Sequence, residues 1–373
     1  MRVQVVDPSA YTPAYDHALC AALARAGAQV ELITSRFAYG DAPAAEDYAV
    51  RELFYRHARG TAGGRLRLAT KLVEHVPDML TLRRAALDAE IVHFQWFAVQ
   101  PIDRWLLPPR PTVLTAHDLL PREPRPLQVG AQRRLYDAVD AVIAHSEFGR
   151  ESLIRRLGVD PAKVRVIHHG AFDYLTRQPV AELPEELLGG GGADRVVMFF
   201  GLLRPYKGVE VLLDAWRELD DAATELWIVG RPRMAINHLV AAAPPSVRWV
   251  TRFVPEPELA ACFRRADVLA LPYLRTERLD FSGVLATALA FAKPAVISDV
   301  GGFPEVADAG AALVVPPGDP GALAAALSGL LADPQERERL AAGARAAAAG
   351  PYSWETAAEQ TLALYRELVA GRA

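Results

Sequence analysis

The chain has only two cysteines, Cys20 and Cys262, far apart and each inside an apolar helical pattern. A disulfide framework or a thiolate metal site needs more ligands, so two buried free thiols are expected. No stretch of 18 or more uncharged apolar residues occurs, so no transmembrane helix is expected. The opening MRVQVVDPSAY lacks the basic-then-apolar layout of a secretory signal, and a cytoplasmic protein is the expectation. An excess of one charge is also missing. The 41 Lys and Arg against 45 Asp and Glu leave a net charge of −4, so nothing global draws the chain to nucleic acid. No G-x-G-x-x-G follows the apolar runs Val3–Val6 or Val196–Phe200, which argues against a dinucleotide oxidoreductase.

What is present is the composition of a soluble globular protein, 51% hydrophobic and 23% charged. At 373 residues it suggests two domains of about 100–200 residues each. Short apolar runs alternate with amphipathic segments. Val3–Val6, Ala28–Thr34, Glu90–Trp96, Thr112–Ala116, Ala141–Ala144 and Val164–Ile167 read as buried strands, with helices such as Asp16–Ala26 and Ser146–Leu157 between them. The pattern breaks at Gln178–Asp194, where two prolines and the run Gly189–Gly192 suggest a flexible connector. It restarts with Val196–Phe200, Thr224–Val229, Val247–Thr251, Asp267–Leu271 and Ala295–Ser298. Two α/β domains with parallel sheets follow, residues 1–178 and 196–350 on either side of a linker at 179–195. Ligands in such sheets lie beyond the carboxyl ends of the strands.

Two segments carry chemistry. In VVMFFGLLRPYKGVEVLLDAW a strand runs into a glycine turn, a basic pair and a helix from about Lys207. Backbone N–H groups and the dipole at a helix N-terminus favour an anion. Lys207 as a point charge and Arg204 as a fork could hold a diphosphate, although both could equally be solvated surface cations. In the second segment a strand ends at Pro272, and a loop with Glu277 and Asp280 leads to Ser282-Gly283. There a helix starts, with Ser282 as the expected N-cap. Gly301-Gly302-Phe303-Pro304-Glu305 then reads as a loop able to lie near a ligand.

Together these segments resemble the C-terminal domain of GT-B glycosyltransferases of the large family 4 group. The resemblance runs from Phe199 through Arg204-Pro205-Tyr206-Lys207-Gly208, Trp227-Ile228-Val229-Gly230 and Ala266-Asp267-Val268. It continues through Lys293-Pro294-Ala295-Val296 to Gly301-Gly302-Phe303-Pro304-Glu305 and the ending Pro351-Tyr352-Ser353-Trp354-Glu355. It implies two Rossmann-like α/β domains facing each other across a cleft, with a final helix, residues 351–373, crossing back to the N-terminal domain. It implies transfer of a sugar from a nucleotide-diphosphate sugar to an acceptor hydroxyl, with retention and without a metal or other cofactor. Arg204 and Lys207 would bind the diphosphate, helped by the backbone at Ser282, Gly283 and Val284. Gly230 and Glu305 would belong to the donor site. The family's paired glutamates, eight residues apart, are absent: Leu279 and Thr287 stand in their places. Thr287 could make a weaker hydroxyl contact to the donor ribose, and Asp280 or Glu277 could supply the carboxylate near the sugar. Because the pair is missing, a silent sugar-nucleotide-binding protein is one alternative. A nucleotide-sugar epimerase of the same fold is another, but no clear set of acid/base carboxylates supports it.

The N-terminal domain speaks less clearly. The loop after the first strand, Asp7 to His17, lacks the family's glycine pair, but Asp16 or His17 could face the reaction centre; alternatively Asp16 only complements a helix N-terminus. Thr115-Ala116-His117-Asp118 ends a strand, and the resemblance implies that His117 contacts the donor sugar near its reacting carbon. His93 is more ambiguous, and the pair His168-His169 resembles a family loop rather than a metal site. Residues 51–84 are locally basic and carry helical-period apolar positions. They read either as a domain helix with solvated arginines or as a weak contact to anionic lipid at the inner membrane face, which would suit a lipid-linked acceptor; a small molecule or glycan is equally open.

Overall fold

Thirteen strands form in the computed structural model, which describes residues 1–38, 40, 42–60, 64–120, 128–188, 193–219, 223–276 and 280–372. The first seven are β1 (Arg2–Asp7), β2 (Gln29–Thr34), β3 (Ala49–Glu52), β4 (Ile91–Phe94), β5 (Thr112–Thr115), β6 (Ala141–Ala144) and β7 (Val164–Val166). They make one parallel sheet in the order β3-β2-β1-β4-β5-β6-β7. The other six are β8 (Arg195–Phe200), β9 (Thr224–Val229), β10 (Val247–Val250), β11 (Val268–Leu271), β12 (Ala295–Ser298) and β13 (Ala312–Val315). They make a second parallel sheet, β10-β9-β8-β11-β12-β13. Continuous apolar runs form these strands because helices cover both faces, so there is no polar side for the sequence to alternate with. The edge strands depart from this, β7 and β10 through arginines at partly exposed positions and, most of all, β3. All four of its residues are exposed, which is why no apolar run announces it.

The chain divides into two units. One holds Met1–Gly170, Asp280 and the chain from Ser353 onward; the other holds residues 171–276 and 281–352. The strand order reverses between β1 and β4 in the first unit and between β8 and β11 in the second. At such a switch point the loops at the carboxyl ends splay apart and leave a crevice. The loops that follow those four strands hold residues 8–12, 95–96, 201–204, and 272–276 with 280–282.

Two boundaries differ from the sequence reading. The second unit begins at Ala171, ahead of the expected linker at 179–195. Gln178 Nε2 and the Tyr174 hydroxyl donate to Glu256 at 3.1 and 2.7 Å, and Arg252 pairs with Glu186 at 3.0 Å. Leu187 is buried. The residues around the glycine run are thus docked by charge pairs and an apolar anchor, while Gly189–Gly192 lie outside the described residues. Asp280, expected in the C-terminal domain, groups instead with the first unit. The final helix, Trp354–Ala370, packs in the first unit on the helix Pro13–Arg25, with the Tyr15 and Trp354 rings 5.0 Å apart. Its Ser353 N-cap accepts from Thr356 N–H at 3.1 Å.

Candidate active site

In the second unit the site grows from β8. Its end turns at Gly201, whose φ of 123° suits glycine and whose place leaves 3.3 Å between a built Cβ and Val284. A Cβ on Gly230, at φ 150°, would collide with the Gly201 carbonyl, so the two glycines are packed backbone to backbone. The helix expected from Lys207 begins two residues later: Pro205–Lys207 form a 3₁₀ turn, Gly208 takes φ 70°, and the helix proper is Val209–Glu218. Gly208 presses so closely on the Pro272 carbonyl that no side chain fits there. That close approach fixes the turn against the end of β11.

The turn buries Lys207, 8% exposed, with its ammonium 3.8 Å from the Tyr273 ring centre and donating to the Tyr273 hydroxyl. Tyr273 in turn lies 3.2 Å from Ser282 Oγ. Ser282 occupies the N-cap position of the helix Gly283–Ala290, but contrary to expectation its hydroxyl does not cap it. The first N–H groups of that helix therefore have no side-chain acceptor from the cap residue, and a buried cation is chained to the same spot. This is the electrostatics of an anion site. Arg204, half-buried, precedes the turn. Thr287 Oγ1 donates to the Gly283 carbonyl at 2.8 Å, so its proton is spent inside its own helix. Glu305 lies in the first turn of a short helix, Phe303–Asp308, where a loop was expected; Pro304 at its second position favours the helical start. Glu277 lies outside the described residues.

In the first unit the loop after β1 wraps a carboxylate. Asp7 is fully buried and accepts from the N–H groups of Ser9 and Thr12, both at 3.1 Å, and of Tyr11. Ala10 at φ 48° marks how tightly the chain turns. Asp16, 1% exposed, adjoins Asp7 and accepts from Thr12 Oγ1 at 3.2 Å. Burial first, then the neighbouring Asp7, push the Asp16 carboxyl well above the usual carboxylate range. Burial raises the Asp7 carboxyl as well, so the two acids form a pair closed off from solvent in which Asp16 is raised the more. His17 is turned to Tyr48, 2.5 Å from its hydroxyl, and burial pushes it down to about 4.

His117 stands just past β5, its ring stacked on Trp96 at 5.2 Å and edge-on to Tyr15 at 4.5 Å. Its Nδ1 lies 3.4 Å from His145 Nε2, and its Nε2 lies 3.0 Å from the Gln95 amide oxygen. His145 Nδ1 donates to the Ile167 carbonyl at 3.0 Å, and burial pushes this ring down to about 4, so its Nε2 only accepts. The hydrogen between the two rings is therefore on His117 Nδ1. The buried Gln95 Nε2 has no hydrogen-bond partner in this orientation, and exchanging the ends of the amide would let it donate to His117 Nε2. His93 is spent structurally: its nitrogens meet Tyr365 at 2.6 Å and Thr115 at 2.7 Å in the sheet core.

Asp280 is fully buried; it accepts from His145 N–H at 2.6 Å and from the Ser146 hydroxyl. Ser146 in turn caps the helix Glu147–Arg155 through Gly149 N–H at 2.9 Å. A Cβ on Gly149 would lie 2.5 Å from the Asp280 carboxyl carbon. These bonds make Asp280, expected to supply a carboxylate near the sugar or to sit in a solvated loop, a buried anchor at a helix start. Thus Lys207, Ser282, Gly201 and Val284 lie in one unit, and in the other His117 follows β5 while Asp16 lies in the helix Pro13–Arg25 after β1, beside Tyr15 whose ring meets His117. Sequence reasoning missed Tyr273, Gln95, His145 and Asp7. All four stand at or just past the carboxyl end of a strand, and that position was the signal that could have found them.

Two family models match the chain: Glycosyltransferase Family 4 over residues 15–171 and Glycosyl transferases group 1 over residues 194–333. The D-inositol 3-phosphate glycosyltransferase of Kineococcus radiotolerans is 30% identical, over 95% of this chain and 90% of that protein. Sucrose-phosphate synthase of Thermosynechococcus elongatus superposes with a TM-score of 0.76 at 22% identity, covering 100% of both chains. HepE of Anabaena in complex with UDP-glucose gives 0.72 at 18% identity, covering 98% of this chain and 100% of that one. At these identities the two structures speak for the fold alone.

Proposed function

The chain belongs to glycosyltransferase family 4, with the GT-B fold, and is a glycosyltransferase; we propose that its donor is a nucleotide-diphosphate sugar, transferred to an acceptor hydroxyl with retention and without a metal. The observation that carries this reading is the buried Lys207 chained through Tyr273 to Ser282, at a helix start that no side chain of the cap residue closes. When the bond from the sugar's anomeric carbon to the diphosphate breaks, negative charge grows on the leaving oxygen. Lys207, Arg204 and the helix N–H groups stabilise it. The acceptor oxygen attacks from the same face, and its proton passes to the departing phosphate. With that much fixed positive charge in place, no cation is required at the diphosphate, and transfer is expected to persist in EDTA. His117 is the residue that the family resemblance assigns to the sugar.

The first experiment is a thermal-shift screen against UDP-, GDP-, ADP- and TDP-sugars. A donor at about 100 times its dissociation constant adds roughly 2.7 kcal/mol, a shift of several degrees. A hit names the nucleotide. Transfer is then tried with myo-inositol phosphates first, since the relative from Kineococcus radiotolerans carries inositol phosphate in its name. No shift with any donor would remove the proposal. The internally bonded Thr287 hydroxyl favours one second reading, a silent binding protein; it would be supported by donor binding with neither transfer nor slow donor hydrolysis.

A further inference from the structure

The helix Arg65–Ala85 in the first unit is apolar on both sides. His75, Met79 and Leu82 face inward, each at most 1% exposed. The opposite side is also hydrocarbon: Leu66 is 61% exposed, Val73 78% and Leu80 43%. At 100° per residue these positions form one continuous stripe along a helix about 30 Å long. Trp105 extends it, 68% exposed and tied to the helix by Arg83, whose guanidinium donates to the Trp105 and Leu107 carbonyls at 3.3 and 2.8 Å.

The charges around this stripe are sorted. The helix has two acids, and both point back into the protein: Glu74 accepts from His57 N–H at 3.0 Å and Asp78 from Tyr55 N–H at 2.8 Å. Arg65 and Arg84 are exposed near its two ends, and the Arg104 guanidinium lies 4.1 Å over the Trp105 ring. The outward surface is therefore hydrocarbon bordered by arginine, with a tryptophan at its edge. We propose that this face docks on an anionic lipid bilayer, the helix lying in the interface plane. No helix among the described residues is long and apolar enough to cross a membrane. Apolar side chains would enter the acyl boundary, arginines would meet lipid phosphates, and Trp105 would sit at headgroup level. A second copy fits less well. Two-fold pairing of antiparallel stripes sets Arg65 of one copy against Arg84 of the other, like charge on like charge.

The test is sedimentation of the full chain with vesicles of phosphatidylcholine alone and of phosphatidylcholine mixed equally with phosphatidylglycerol, at low salt. The chain is expected to pellet with the mixed vesicles only. Val73→Glu with Leu80→Glu should cut partitioning on the order of a hundredfold. Arg65→Gln and Arg84→Gln should each cut it about fivefold without touching the core, which guards against a folding artefact in the first variant. Three results would each overturn the proposal: no pelleting with the mixed vesicles, equal pelleting of wild type and the glutamate variant, or a lipid-free dimer by light scattering that the glutamate variant dissociates. None depends on the donor reading above.

Discussion

The turn after β8 and the turn after β1 occupy the same topological place in their two sheets, and they treat charge in opposite ways. After β8 the chain supplies cations: Lys207 is buried against Tyr273, and the nearby helix start is left without a cap-residue side chain. After β1 it supplies its own anion, because Asp7 already takes the N–H groups of Ser9, Tyr11 and Thr12. Burial and Asp7 push Asp16 upward, and in the same unit burial pushes His145 down to about 4 and both His93 and His169 to about 3. One turn is built to wait for an anion and the other has been filled by the chain itself. Asp280 repeats the second device at the helix Glu147–Arg155.

The largest effect should fall on the waiting turn. Lys207→Ala is expected to lower turnover about 10²–10³-fold, the size of losing one donor to a developing oxyanion, with an unchanged circular dichroism spectrum. Near-normal turnover, read as nucleotide release, would end the contrast. On the filled side the same kind of change should strike stability instead. Asp280→Ala orphans His145 N–H and the Ser146 hydroxyl, and Gly149→Ala drives a methyl into the same carboxylate. Each should cost about 2–4 kcal/mol in denaturant unfolding. If Asp280→Ala kept full stability but lost activity, Asp280 would be a reacting group after all.

How much of this was legible follows from what each residue answers to. The parallel sheets, Lys207, and the glycines at 201, 208 and 230 are local demands: apolar runs for strands buried on both faces, glycine where φ is positive or a carbonyl presses close. The family pattern rests on such demands, so it could be read from short segments. The Asp280 anchor joins residues 134 positions apart, and Gln95 meets His117 across 22. Only the fold brings such partners together. Ser282 was placed correctly at a helix start but given a capping role. Its hydroxyl found Tyr273 instead, a choice that tertiary contact makes and sequence does not record. The division of the chain went astray at 179–195 because glycine content suggests looseness, while Glu186 and Gln178 beside it bind Arg252 and Glu256.

A smaller effect tests the neutral side at its one partly exposed ring. Gln95→Leu removes the partner of His117 Nε2 while leaving the Nδ1–His145 contact, and turnover should fall about tenfold, the worth of one positioning hydrogen bond. Gln95→Glu keeps the geometry but adds a carboxylate that favours the imidazolium, so its pH–rate profile should move to higher pH. If both variants behave like wild type, His117 is not held through Gln95.

The smallest effect asks which member of the carboxyl pair holds the proton. Asp16 is raised in the folded state by burial and by Asp7, so the folded chain keeps a proton that the unfolded chain releases above about pH 4. The stability it contributes is full below that pH and declines as pH rises toward the folded value. Asn imitates the protonated form and has nothing to release. Asp16→Asn should therefore melt roughly two degrees above wild type at pH 7–8, with the gap closing toward pH 4. A variant less stable than wild type at pH 7 would mean that Asp16 is the ionised partner, and the turn after β1 would then hold its charge on the helix rather than in the loop.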